Sequence, residues 1–231
     1  AHDRVTVAGT MLSTGILYVG LALGGIRRGH HWALIAFLIS ALSGFLSFFL
    51  FIGYGYFDPL HAVLTLGLLP LFLASLWAMR VPLRFTSPPN LINTVRWRYS
   101  QWGQLMFVLI GVGLIAAGIA IMSVGVTSVF VNEDLAFMQT SASVLDAANP
   151  RLVPLVAHDR AGFGGNLVSV GLAVLLLALW GFRQGERWVW WTLGLSGSSG
   201  FVAAIGIHLV VGYTDLWHLF PALLALFLFG L

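Results

Sequence analysis

The chain contains one short motif twice, and this internal duplication constrains its fold more than any other feature. Ala-His-Asp-Arg occurs at residues 1–4 and again at residues 157–160, an offset of 156 residues. The match continues at that offset, or at one residue more, through the pairs Gly9/Gly165, Ser13/Ser169, Gly15/Gly171, Arg27/Arg183, Gly29/Gly185, Trp32/Trp188, Gly44/Gly200, Asp58/Asp215 and His61/His218. We therefore expect a tandem duplication of one structural unit.

Long apolar stretches separate these shared motifs. The chain is 59% hydrophobic and 8% charged, whereas soluble domains carry about 25% charged residues. A helix that crosses about 30 Å of hydrocarbon needs about 20 apolar residues. The sequence therefore predicts an all-α protein, a polytopic integral membrane helical bundle whose surroundings are the lipid bilayer.

Seven membrane spans are predicted, at about residues 7–25, 32–52, 58–79, 103–124, 164–181, 188–211 and from 217 onward. The first repeat, 1–156, holds four spans and an outer loop at 125–156, and the second repeat, 157–231, holds three. Because four spans return the chain to its starting side, the two repeats are expected to be parallel, with the same topology. A complete second repeat would add an eighth span, and the start at Ala1 suggests an upstream segment.

The arginines predict the orientation. Eight of the 11 basic residues fall in loops on one side, and seven of the eight acidic residues fall on the other. The positive-inside rule places the arginine-rich loops in the cytoplasm. We expect a bacterial inner (plasma) membrane protein with the His-Asp-Arg and Asp-x-x-His motifs outside. Since the positive charge lies in short loops, it does not indicate nucleic-acid binding.

The duplicated motifs bring imidazoles and carboxylates to the predicted outer face. The candidates for cofactor binding are His2, His61, His158 and His218, and those for metal binding are Asp58, His61, Asp215 and His218. Such groups bind Zn, Cu or Fe, paired histidines ligate haem, and imidazole carries protons near neutral pH. Asp3 and Asp159 are candidates for proton or substrate contacts.

A structural explanation competes with these functional ones. Asp58 precedes Pro59, a combination that is typical of a helix start, and Asp215 can cap its helix in the same way. The aspartate of each His-Asp-Arg motif can likewise act as a cap and pair with the neighbouring arginine. The sequence leaves the choice between sites and caps open.

His208 is a third candidate for proton or substrate contact. It lies inside the sixth span, where an ionisable residue is a functional candidate by default, although a neutral imidazole bonded to a neighbouring helix is the simpler explanation. The small residues of 194–200 in the same span favour tight helix packing. The alternative is a flat pocket for a quinone, a haem or another planar ligand.

Known catalytic motifs do not occur. The sequence has no phosphate loop, nucleotide fingerprint, zinc-protease motif or serine-hydrolase elbow, and it has no cysteine. Asn149-Pro150-Arg151-Leu152, followed by residues 157–165, resembles a family of bacterial tandem-repeat membrane proteins with no established activity. Some members are joined to domains like dihydroorotate dehydrogenase, which would imply membrane redox chemistry near quinone. The resemblance carries over no catalytic residue.

Three functions therefore remain open. The first is a membrane subunit or redox-associated module that binds a haem, a metal ion or a quinone at an outward-facing His/Asp cluster. The second is a small-solute or proton-linked transporter with its site near His208. The third is a purely structural subunit of a larger membrane complex.

Overall fold

A computed structural model describes residues 2–49, 56, 58–78, 92–183 and 185–231, without the side chains of residues 2, 3, 48, 49, 60 and 78. Every regular element in these ranges is a helix, so the all-α prediction is confirmed. The helices are α1 (His2–Gly20), α2 (His31–Phe49), α3 (Pro59–Ala78), α4 (Val95–Val126), α5 (Asn132–Phe137), α6 (Ala142–Ala148), α7 (Leu152–Gly181), α8 (Arg187–Val211) and α9 (Leu216–Gly230). A π-helical turn and a 3₁₀ turn extend α1 to Arg28.

Within the described ranges, four helices are long and apolar enough to cross a membrane, in agreement with a membrane location. They are Arg4–Arg28, Val95–Val126, Leu152–Gly181 and Arg187–Val211. The described parts of α2, α3 and α9 are apolar but shorter. The predicted loop at 80–101 falls largely on residues 79–91, which lie outside the described residues.

Two helices begin earlier than the hydropathy predicted. α4 begins at Val95, where the Thr94 hydroxyl accepts a hydrogen bond from the backbone N–H of Trp97 at 3.1 Å. α7 begins at Leu152, after Asn149 accepts one from the N–H of Arg151. A side-chain cap at Thr94 sets the start of α4, whereas α7 begins after the turn at Asn149 without a side-chain cap. As a result, the second His-Asp-Arg motif lies inside α7 and not at its start.

The long helix α7 lies at the centre of the packing and contacts α1, α2 and α4. Its contact with α4 is close because glycines face each other. A Cβ atom at Gly118 would lie 2.6 Å from the carbonyl oxygen of Gly164, and one at Gly164 would lie 2.5 Å from that of Gly118. Small residues let helix backbones approach in this way, so the two glycines determine the depth of the contact.

Buried hydroxyl pairs join α1 to α8 and α2 to α7. The Ser13 and Ser196 hydroxyls lie 2.6 Å apart, and those of Ser40 and Ser169 lie 3.1 Å apart. Tyr18 adds hydrogen bonds to Ser40 at 3.0 Å and to Ser169 at 3.2 Å. Thus α1, which carries the first His-Asp-Arg motif, packs against α8. In the same way α7, which carries the second, packs against α2.

Candidate functional site

The helix ends that carry the duplicated motifs meet at one end of the bundle, which we call the motif end. His61, in the first turn of α3, lies there against His158, in the second turn of α7. The Nδ1 atom of His61 is 2.7 Å from Nε2 of His158 and 3.5 Å from Oδ2 of Asp58. One ligand atom from each of these three residues lies within 4.8 Å of the other two. We call this group the His61 cluster.

The donors of the His61 cluster are two imidazoles and one carboxylate. This set binds zinc in several enzymes and Fe(II) in non-haem oxygenases, and it leaves metal positions open for another ligand. Two nitrogens bound tetrahedrally at about 2.0–2.1 Å lie about 3.3 Å apart. The two nitrogens, 2.7 Å apart, therefore need to separate by only about 0.6 Å to bind such an ion. A haem iron between the two rings would require an N···N distance of about 4 Å.

Packing and charge hold the His61 cluster in place. His158 is 2% exposed, and the edge of the Tyr56 ring meets its ring at a centroid distance of 5.3 Å. The neighbouring Asp159 accepts a hydrogen bond from Nε of Arg4 at 2.9 Å, which ties α7 to α1. Asp159, a candidate for proton or substrate contact, thus forms an ion pair with the arginine of the other motif copy.

A second cluster surrounds a buried ion pair at the same end. Asp134, at the start of α5, accepts hydrogen bonds from Arg160 at 2.5 Å, from the Tyr213 hydroxyl at 3.2 Å and from the backbone N–H of Val131 at 3.2 Å. Arg160 also donates to the carbonyl oxygen of Val129 at 2.6 Å. We call Arg160, Asp134 and Tyr213 the Asp134 cluster. It attaches the connection between α4 and α7 to the bundle.

Tyr213 lies in the turn between α8 and α9, and its environment changes its chemistry. Burial raises the pKa of the Tyr213 hydroxyl well above its usual range, and the carboxylate of Asp134 beside it raises the pKa further. A phenolate next to that carboxylate would be both desolvated and repelled. The hydroxyl therefore stays protonated and acts as a hydrogen-bond donor.

Two further histidines of the motif end, His208 and His218, lie side by side. The rings of His208 and His218 have centroids 5.1 Å apart, and the Tyr213 ring lies 4.7 Å from that of His218. His208 is buried, and its Nδ1 lies 2.5 Å from the carbonyl oxygen of Ala204 on its own helix. Nδ1 therefore carries the hydrogen in this contact, because the carbonyl can only accept.

The predicted site residues thus fall into separate groups. His61 meets His158 and Asp58, whereas His218 meets His208 and Tyr213. The carboxylate of Asp215 accepts a hydrogen bond from the backbone N–H of His218 at 2.9 Å, which is the cap that the sequence offered as the alternative. The side chains of His2 and Asp3 lie outside the described residues.

Sequence reasoning missed the pairing of Asp134 with Arg160. Asp134 follows Asn132 and Glu133 in a stretch that is typical of a helix start, and the sequence favours pairing of Arg160 with the aspartate of its own motif. The available signal is charge balance, because an arginine buried in an apolar helix needs a carboxylate. Asp159, adjacent to Arg160 in the chain, is the carboxylate that the sequence offers first. Nothing local in the sequence shows that α5 supplies this carboxylate.

A cavity of about 540 Å³ opens between α1, α4, α7, α8 and α9. Most of its lining is apolar, and Arg160, His208 and His218 line it at the motif end. The small-residue patch of α8 contributes to helix packing beside it, since Ser196 pairs with Ser13 and a Cβ at Gly197 would lie 2.4 Å from the ring of Phe229.

No protein-family model, curated protein or solved structure matches this chain. The resemblance to bacterial tandem-repeat membrane proteins therefore stays a prediction.

Proposed function

We propose that this chain is a membrane protein that binds a divalent transition-metal ion through Asp58, His61 and His158. The observation that supports the proposal is the 2.7 Å approach of two imidazole nitrogens with a carboxylate beside them. The two histidines form a hydrogen bond between α3 and α7, and a metal ion would take the place of its proton and bind one nitrogen from each helix. The metal site is the basis for proposing a redox-associated or cofactor-binding membrane module.

Zinc, Fe(II) and Cu(II) are the expected ions. Imidazole and carboxylate together favour these metals over Ca²⁺ and Mg²⁺, which prefer oxygen donors. The short separation of the two nitrogens argues against a haem between His61 and His158. Three protein ligands leave at least one coordination position for water or for a small substrate.

Metal analysis of variants tests this proposal. We expect the purified protein to hold about one equivalent of metal, and Asp58→Asn, His61→Ala and His158→Ala each to lower the affinity at least about 10-fold, since even indirect partners of metal ligands contribute that much. His30→Ala is the matched control, because His30 is a partly exposed histidine beside Glu186. The proposal is wrong if the three variants retain the metal. Loss of metal only in His218→Ala or Asp215→Asn would support the other ligand set.

We also infer that the bundle consists of two parallel repeats related by an internal two-fold axis. In support, contacts recur when the two copies are exchanged. Ser13 with Ser196 corresponds to Ser169 with Ser40, and Gly9 against Ala203 corresponds to Gly165 against Ser47. Two pairs contact their own counterparts, Trp32 with Trp188 and Thr10 with Asn166.

In such an arrangement, an eighth span would pack against one face of α1. On α7, a Cβ at Gly171 would lie 2.9 Å from the carbonyl oxygen of Gly111 on α4. The counterpart of Gly171 on α1 is Gly15, and no atom of the described residues would lie within 4 Å of a Cβ there. A span equivalent to α4 would pack against this face.

The orientation has its own test. The natural chain has no cysteine, so single cysteines report sidedness without background. We expect a membrane-impermeant maleimide to label Asp146→Cys in intact cells and Arg187→Cys only after permeabilisation. The reverse pattern would invert the proposed orientation and place the metal site in the cytoplasm.

The transporter and structural-subunit alternatives remain predictions. Solute or proton uptake into liposomes that depends on His208, with no bound metal in the protein, would favour transport. A protein with neither metal nor uptake would favour the structural role.

A further inference from the structure

The cavity beside α8 has the shape of a binding site for a single long molecule. Its lining on α7 extends from Arg160 to Val174, which is about 21 Å at 1.5 Å per residue. A cavity of about 540 Å³ that extends over this length is large enough for one long hydrocarbon chain.

The polarity of the lining is concentrated at one end. Below the motif end the walls are mainly leucine, isoleucine, valine, alanine and phenylalanine side chains. The hydroxyls among them pair with each other or with neighbours, since Ser13 bonds to Ser196 and Thr10 accepts from Asn166 at 2.7 Å. A ligand therefore meets its polar contacts at His208 and His218, and its apolar part lies along the rest of the cavity.

The charges at the polar end favour an uncharged head group. Arg160 is the cation there, and the carboxylate of Asp134 neutralises it at 2.5 Å while also accepting the Tyr213 hydroxyl. A carboxylate or phosphate head would lose its hydration without gaining an opposite charge. A carbonyl or hydroxyl oxygen carries no such cost. Neutral His208, with its hydrogen on Nδ1, can accept from a hydroxyl at Nε2, and His218 can donate to a carbonyl or accept from a hydroxyl.

We propose that this cavity binds a single-chain lipid whose uncharged head is either a hydroxyl that donates to His208 or His218 or a carbonyl that accepts from His218. Both a quinone with an apolar tail and a long-chain alcohol have this chemistry. The proposal is separate from the metal site, because no residue of the His61 cluster lines the cavity.

Three ten-carbon probes test the head group. Equilibrium binding of decylubiquinone, decanol and decanoate is measured on the full chain in phosphatidylcholine nanodiscs. We expect one equivalent of decylubiquinone or decanol to bind at least 10-fold more tightly than decanoate. The stronger of the two neutral probes identifies the source as a quinone or an alcohol. Decanoate binding as tightly as both would overturn the proposal.

Variants locate the site. Ala117→Trp fills the apolar part of the cavity, and His218→Leu removes a contact to the head, so each should weaken binding of the neutral probe at least 10-fold. Val202→Trp is the matched control, because Val202 is 73% exposed on α8 and does not line the cavity; we expect less than a twofold change. Unchanged binding in His218→Leu would overturn the proposal even if Ala117→Trp fails to fold. Metal content should stay the same in all variants, which separates this outcome from failure of the metal site.

Discussion

The buried ion pair of Asp134 and Arg160 makes the sharpest prediction about stability. Asp134 is 5% exposed and Arg160 8%, so replacing Asp134 with alanine leaves a guanidinium in a place that water reaches poorly. Breaking one side of a buried pair costs about 3–5 kcal/mol. For a chain of 231 residues, this corresponds to a fall in Tm of about 6–20 °C.

The double variant shows whether the charge is the cause. Replacing both residues, as Asp134→Leu with Arg160→Met, removes the unpaired charge together with its partner, and such replacements are often close to neutral. We therefore expect the double variant to be more stable than Asp134→Ala by about 2 kcal/mol or more. The thermal unfolding midpoint in detergent, followed by circular dichroism, gives both values.

The ion pair of Arg4 and Asp159 is the control. The Arg4 side chain is 60% exposed, and exposed pairs contribute only about 0–1 kcal/mol. Arg4→Ala should therefore lower the free energy of unfolding by about 1 kcal/mol or less. The reasoning is refuted if Arg4→Ala and Asp134→Ala cost the same, or if the double variant is as unstable as Asp134→Ala alone.

Three further predictions concern packing, hydrogen bonding and pH. Gly118→Ala should lower the free energy of thermal unfolding by about 1–3 kcal/mol, because its Cβ would overlap Gly164. Gly113→Ala, on the same helix but with open space around its Cβ, should leave that free energy unchanged. Equal effects would contradict the close approach. Ser40→Ala should lower the free energy of unfolding by about 1–2 kcal/mol, because the buried Ser40 hydroxyl donates to the carbonyl of Ser169 at 2.8 Å. Ser123→Ala removes an exposed hydroxyl and should lower it by less than about 0.5 kcal/mol. The raised pKa of Tyr213 means that its hydroxyl stabilises the fold fully below about pH 10, the value in the unfolded chain, and that this contribution is lost as pH rises through the higher folded-state pKa. The absorbance of wild type and Tyr213→Phe at 295 nm should therefore coincide up to about pH 10, and a difference that develops at lower pH would contradict the buried contact with Asp134.

The elements that follow from local rules could be predicted from the sequence. Asn132 and the two acidic residues after it are typical of a helix start, and α5 begins there; Pro150 disfavours a helix at the residue before it, and α6 ends at Ala148. The predicted starts of α4 and α7 were late because charged residues such as Arg96 and His158 interrupt the apolar pattern. The cap at Thr94 starts α4 before Arg96, and α7 starts at Leu152, before His158.

The sequence by itself determined the helical class, the apolar spans and the residues that could form a site. Periodicity and capping are local, so they show where a helix lies and which side chains it presents. Tertiary structure alone decided which side chains meet: His61 with His158, His218 with His208, and Arg160 with Asp134. Those pairings depend on close contacts between helices distant in the chain, such as that of Gly118 with Gly164. The duplicated motifs show which residue types recur, but the packing of α1 on α8 and of α2 on α7 determines which copies come together.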